Sequence, residues 1–203
     1  MKVTNITASG AILIGGKSKR YNSDKAFINF SGEYLSALLY RRINKILNHV
    51  FFVSDKKDKS SVPEAQLVID LKQNIGPIGG LYTALVNTTY DYCFVSACDL
   101  PFLSNDLIHL LWKNCDGKND IIVPVWDSKI EPLAAFYHQR CIPFIETALE
   151  NKQWMMKGFW DKVVTKYIDV SEHFSTEEIN KLFFNINTPG DYISAQEILA
   201  MMK

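Results

Sequence analysis

The chain has 203 residues, with 22 basic side chains against 22 acidic ones, 47% hydrophobic and 22% charged residues. This is the composition of a folded globular protein, and it excludes intrinsic disorder, collagen-like repeats and coiled coil as the main state. The length suits one domain over 1–203 with a three-layer core. No apolar run reaches the roughly 18 residues that cross a bilayer. The N-terminus lacks the pattern of a secretory signal. Balanced charge argues against nucleic acid or an anionic membrane as a whole-surface partner. Cys93, Cys98, Cys115 and Cys141 form no CxxC pair and stand near no His at zinc spacing. They read as small buried hydrophobes in a reducing, cytoplasmic compartment.

The chain opens with Ala11-Ile12-Leu13-Ile14, a continuous apolar run ending at Gly15-Gly16, the pattern of a fully buried parallel strand. Leu35, Leu38, Leu39, Ile43, Ile46 and Leu47 recur at helical spacing and predict an amphipathic helix with Arg41, Arg42 and Lys45 mostly outward. Val50 to Val53 predicts a second strand, and the charged stretch after Ser54 a solvated loop. Leu67-Val68-Ile69, ended by Asp70, is a third strand. The turn Gly76-Pro77-Ile78-Gly79-Gly80 opens a helix carrying Leu81, Ala84 and Leu85. Tyr92 to Val95 predicts a fourth strand, which stops at Ala97-Cys98-Asp99-Leu100-Pro101. Ser104 is placed to cap a helix with Leu107, Leu110 and Leu111, and Asp106 sits in its first turn. Ile121 to Val123 and Leu133 to Tyr137 supply further strands. Phe183 to Ile186 is the last, followed by Thr188-Pro189, a cap and a proline at the first helical position. Strands alternating with helices imply right-handed crossovers and a mostly parallel mixed sheet covered on both faces, a Rossmann-like α/β/α fold.

In such sheets ligands bind outside the carboxyl ends of the strands, where strand order reverses. Gly15-Gly16, Asp70 and Asp99 all fall at strand ends. The stretch from Leu13 to Ala26 holds two glycines and then Lys17, Lys19, Arg20 and Lys25 against one carboxylate, Asp24. Glycines let the backbone approach a phosphate, and the cations neutralise it; an exposed basic loop without a ligand is the plainer alternative. Two better-known phosphate motifs fail here. A Walker A loop would need Gly at Ala11 and would place its loop where the strand runs, and no third Gly completes GxGxxG.

Asp99 ends a strand apolar enough to be central, and a carboxylate there suits Mg²⁺ shared with a polyphosphate. Taken alone, an Asp after a strand is more often a helix cap or loop former; opposite the glycine–cation loop the metal reading prevails. Asp70 is open between a ribose contact and a turn residue. The 76–80 turn is open between free N–H groups for an anion or base edge and tight helix–strand packing. His49, His109, His138 and His173 join no catalytic pattern and read as structural. The aromatic residues are mainly core, although Trp154, Phe159 and Trp160, near Lys152 and Lys157, could flank a second substrate.

Leu13-Ile14-Gly15-Gly16 with Arg20 and Asp24-Lys25, then Gly76 to Gly80, then Cys98-Asp99-Leu100-Pro101, Glu131-Pro132-Leu133 and Asn185-Ile186-Asn187-Thr188-Pro189 resemble, in this order, the motifs of the molybdenum cofactor guanylyltransferases. The resemblance implies a nucleotidyltransferase fold and transfer of GMP from GTP to the terminal phosphate of molybdopterin, with Mg²⁺ and release of pyrophosphate. It implies that Leu13, Ile14, Gly15 and Gly16 meet the nucleotide through the backbone. Arg20 and Lys25 would neutralise its phosphates, Asp70 and Gly79 would contribute to nucleotide binding, and Asp99 would bind Mg²⁺ and nucleotide. Asn185 and Asn187 would lie toward the molybdopterin side. Other cofactor-biosynthesis proteins would be transient partners. The chain departs from the family at Asn22, where Gly is usual, and at Val53-Ser54-Asp55, where an Asn is frequent. A cytidylyltransferase on the same cofactor, a sugar-1-phosphate nucleotidyltransferase and a non-catalytic nucleotide-binding module are the alternatives.

Overall fold

A computed structural model describes residues 6–15, 25–57 and 60–201. Its strands are β1 (Ile6–Leu13), β2 (Asn29–Phe30), β3 (Glu33–Tyr34), β4 (Leu47–Ser54), β5 (Gln66–Ile69), β6 (Tyr92–Ala97), β7 (Ile121–Trp126), β8 (Lys129–Ile130), β9 (Ala134–His138) and β10 (Thr165–Asp169). Its α-helices are α1 (Leu35–Ile43), α2 (Pro77–Asn87), α3 (Asn105–Trp112), α4 (Ile142–Glu150), α5 (Thr176–Leu182) and α6 (Pro189–Met201). The main sheet runs β10-β7-β9-β6-β1-β4-β5, with β8 pairing β7, while β2 and β3 form a separate hairpin. All pairs along this order are parallel except those of β9, which is antiparallel to both β6 and β7.

Alternation along each strand builds the two faces. Ile12, Phe52, Phe94, Ile122 and Phe136 point to one face, under α1, α3 and α5. Ala11, Leu13, Phe51, Val53, Cys93, Val95 and Tyr137 point to the other, under α2 and α4. This is the expected three-layer α/β/α architecture with a mostly parallel sheet. A third cluster joins Ile28 and Phe30 of the hairpin region to Phe102, Ile186 and Ala195, and so docks α6 beside α1. Ser31 and Gly32, with φ of 58° and 89°, close the β2–β3 hairpin. Asp127 and Ser128, at 44° and 61°, close β7–β8 with the left-handed residues that two-residue loops require.

Three sequence expectations are corrected. Ile46 and Leu47 leave the helical stripe: α1 ends at Ile43, and Leu47 opens β4 by pairing with Ile6. A buried parallel strand uses the same apolar residues as a helix face, so spacing alone ran the two together. Phe183 to Ile186 form no strand. Phe183 is the C-cap of α5 and stacks on Trp126 with centroids 3.9 Å apart, while Ile186 fills the third cluster. Finally, Arg41 and Lys45 are exposed but Arg42 turns inward to the carbonyls of Pro101 and Leu103. The Ser104 cap is as expected, its hydroxyl accepting from Leu107 N–H at 3.2 Å. Cys93, Cys98, Cys115 and Cys141 form no disulfide among the described residues, and all but Cys115 are buried.

Candidate active site

From β1 the chain crosses to β4 and β5 on one side, then returns through α2 to β6 on the other. Strand order therefore reverses around β1, and a crevice opens between the carboxyl ends of β1 and β6. Leu13 pairs with Ala97, so Gly15 and Asp99 each lie two residues past the last paired position. Leu13 and Ile14 bury their side chains on opposite faces, and Ile14 N–H donates to Val53 O at 2.9 Å. Only their backbone can serve a ligand. Gly15 is exposed, and a Cβ on it would stand 3.0 Å from Asp55 N. Gly16 and Arg20 lie outside the described residues. Lys25 opens a 3-10 turn, Lys25–Phe27, and its side chain lies outside the described atoms.

Asp70 follows β5 and is held in a turn. Its Oδ1 accepts from Lys72 N–H at 3.0 Å and from the Thr83 hydroxyl at 2.8 Å, tying the loop to α2. Gly79 serves packing. A Cβ there would clash with Lys72 O, and one on Gly80 would press on Leu13 at 3.1 Å. The two glycines let the 70–76 loop and the end of β1 lie against α2.

Asp99 is half-buried, and its carbonyl accepts from Ile186 N–H at 3.0 Å. This bond brings Asn185 and Asn187 beside the β6 end. The segment is fixed from behind: Asp191 Oδ2 accepts from Asn187 and Thr188 N–H at 2.9 and 2.8 Å, and Asp191 N–H returns a bond to Thr188 Oγ1 at 3.2 Å. This is reciprocal capping at the start of α6.

Glu131 is a residue that sequence reasoning quoted in a motif without giving it a role. On the antiparallel β6–β9 pair Ser96 faces Ala134, and Ala97 N–H donates to Leu133 O at 3.0 Å. Beyond the end of this ladder Glu131 lies close enough to Asp99 for the two charges to interact. Its Oε1 accepts from Leu133 N–H at 3.0 Å. Burial pushes the Glu131 carboxyl above its ordinary range; the Leu133 bond opposes the rise and the charge of Asp99 adds to it. Like charges held near each other repel, and each disfavours ionisation of the other. Two such carboxylates are the hard oxygen donors that Mg²⁺ takes alongside phosphate oxygens. Among the described residues no group of three or more His, Cys, Asp or Glu gathers into a closed cage.

The aromatic candidates divide. Phe159 and Trp160 belong to the α2–α4 core, with Lys157 Nζ 5.9 Å from the Trp160 ring centroid. Trp154 is exposed, and its carbonyl lies 3.9 Å from where a Gly76 Cβ would stand, near the start of α2. His49 and His138 sit at the opposite, amino edge of the sheet.

The MobA-like NTP transferase domain matches residues 10–162. The chain belongs to this family. Among its relatives, a protein of Pelotomaculum thermopropionicum described as a probable molybdenum cofactor guanylyltransferase is 30% identical, covering 94% of this chain and 93% of that one. One of Clostridium perfringens with the same description is 31% identical over 92% and 95%. The crystal structure of molybdopterin-guanine dinucleotide biosynthesis protein A from Archaeoglobus fulgidus superposes with a TM-score of 0.83 at 27% identity, covering 96% of this chain and all of that one. The domain match ends at residue 162, before Asn185 and Asn187, whereas the relatives align over nearly the whole chain. Among the described residues, no helix of this MobA-like transferase is long and apolar enough to cross a membrane.

Proposed function

We propose that this MobA-like transferase is a GTP:molybdopterin guanylyltransferase. It moves GMP from GTP to the terminal phosphate of molybdenum–molybdopterin and releases pyrophosphate. The observation that carries this reading is Asp99 beside the glycine end of β1 at the point where strand order reverses, in a chain whose relatives bear that description. An acceptor phosphate oxygen forms a bond to the α-phosphorus as the bond to the β-bridging oxygen breaks, and the electron pair leaves with pyrophosphate. The acceptor is already an anion, so the chain need supply no general base.

Its residues hold and neutralise. The backbone at Leu13 to Gly16 lies along the nucleotide, and Lys25 with Arg20 meets its phosphates. Asn185 and Asn187 face the acceptor side. Bound to Asp99 and Glu131, Mg²⁺ would screen the phosphates from one another and stabilise charge on the leaving group. The free thiols suit a reducing, cytoplasmic setting. The test is incubation of the purified chain with molybdopterin, Mg²⁺ and each labelled nucleoside triphosphate. Dinucleotide formed from GTP alone is expected; a product made with CTP would replace guanylyl by cytidylyl transfer.

A further inference from the structure

Helix α1 reaches both turns that flank the switch point. Near its start the fully buried Ser36 donates its hydroxyl to the backbone carbonyl of Ala26, and the Ser61 hydroxyl stands 2.7 Å away. Ala26 follows Lys25 within the 3-10 turn. Leu35 N–H adds a bond to Ile28 O at 2.9 Å, so the start of α1 is fastened to the chain just after Lys25.

In the last turn of the same helix, Arg42 sends its guanidinium under the loop after Asp99. Its Nη1 donates to Pro101 O at 3.0 Å and also to Leu103 O. Burial lowers its pKa from the ordinary value, and the nearby Glu33 charge works the other way. A charge taken out of water is costly unless hydrogen bonds meet it, and here two carbonyls of a tight turn meet Nη1. A lysine side chain ends one bond short of the Nη1 position, so its ammonium does not reach both carbonyls.

We infer that α1 is a brace for the reaction centre, with Ser36 and Arg42 as positioning residues. Ser36 fixes the turn that begins at Lys25, Arg42 fixes the turn that follows Asp99, and the rigid helix between them sets their separation. The inference rests on the roles proposed for Lys25 and Asp99. Neither Ser36 nor Arg42 touches substrate; each acts through backbone it holds in place. Misplacement of a reacting group by about 1 Å can cost roughly 10²-fold in rate, so a looser brace shows in turnover before it shows in nucleotide binding.

The test uses the full chain with Ser36→Ala, Ser36→Thr, Arg42→Met and Arg42→Lys. Melting temperature, GTP affinity by calorimetry, kcat and KM are measured on each. Ser36→Ala and Arg42→Met should each lower kcat about tenfold, with KM for GTP within about threefold of wild type. Ser36→Thr, which keeps the hydroxyl, should recover most of the rate, and Arg42→Lys should not. In a Lys25→Ala background Ser36→Ala should add no further loss, and in an Asp99→Asn background Arg42→Met should add none, because coupled residues are not additive. Wild-type kcat in folded Ser36→Ala and Arg42→Lys would overturn the inference, as would losses that multiply in full in the double variants. Arg42→Lys carries the Arg42 arm should Arg42→Met fail to fold. Full activity in the single Lys25→Ala variant is a separate result, which breaks the role of Lys25 itself.

Discussion

The two ends of β9 carry charge in opposite ways. At its carboxyl end, on the amino edge of the parallel strands, Asp120 accepts from Arg140 Nε at 2.8 Å and from Val164 N–H at 2.9 Å. Arg140 also donates to Gly117 O at 2.8 Å. Opposite signs meet there, and the partners are the chain's own. Before its amino end, on the carboxyl edge, Glu131 lies near Asp99 and the two like charges repel. That repulsion is one that a bound cation with its polyphosphate would relieve. The contrast separates charge that serves stability from charge set out for a ligand, within one strand.

The largest effect should come from breaking the carboxyl-edge pair at Asp99. Asp99→Asn keeps shape and removes the charge, so single-turnover GMP transfer should fall by at least about 10²-fold, the scale of a lost electrostatic contact in the transition state. Melting temperature on the same preparation separates loss of transfer from loss of fold. Undiminished transfer with unchanged Mg²⁺ dependence would remove Asp99 from the centre. At the other end Asp120→Ala should do the reverse. It strands the Arg140 guanidinium and Val164 N–H and should cost about 1–2 kcal/mol, the lower part of the range for charged hydrogen bonds because Arg140 is half-exposed. Activity per folded molecule should stay at the wild-type level; denaturant titration and kcat on one preparation check both. Glu131→Gln is milder and mixed. It should stabilise by roughly 0.5 kcal/mol by relieving repulsion across the pair. It should also raise the Mg²⁺ concentration needed for half-maximal transfer. A loss of stability with unchanged Mg²⁺ response would make Glu131 a turn residue held only by Leu133.

How much of this was legible beforehand follows from the range of each interaction. The ends of β1 and β6 could be read because a buried parallel strand is a short apolar run with a hard stop, and Gly15 and Asp99 mark the stops. The nearness of Glu131 to Asp99 could not, because it depends on β9 running antiparallel to β6, which no local pattern encodes. Gly79 was visible as a turn glycine, but the reason it must lack a side chain, Lys72 O lying against it, is a contact between two loops. Arg42 and Ser36 sat on a helix whose spacing assigned them a face only. That Arg42 bends beneath the Asp99 loop is decided by where α3 and β6 place the carbonyls of Pro101 and Leu103. Ile46, Leu47 and the run from Phe183 show the reverse case, in which apolar residues serve packing without the element their spacing suggested.

The smallest effect sharpens the amino-edge half of the comparison and concerns His138. Its Nδ1 accepts from Arg140 N–H at 3.0 Å, and Arg140 Nη1 stands 2.9 Å from its Nε2. Burial first, and then the Arg140 charge, lower its pKa below the ordinary 6.5; Asp91 and Asp120 pull the other way without prevailing. The folded chain therefore keeps the ring neutral at pH values where the unfolded chain has already taken up a proton. Stability rises with pH wherever the unfolded state binds more protons, so the contribution of His138 is intact above its unfolded pKa and is lost progressively below it. The loss ends only when the folded ring itself protonates. Urea unfolding of wild type and His138→Gln from about pH 7.5 to about pH 5.5, a window around the ordinary histidine range, isolates the effect, because carboxylates common to both chains cancel in the difference. Wild type should lose stability relative to His138→Gln as pH falls. Parallel curves would mean that neither burial nor Arg140 disfavours the protonated ring in the folded chain.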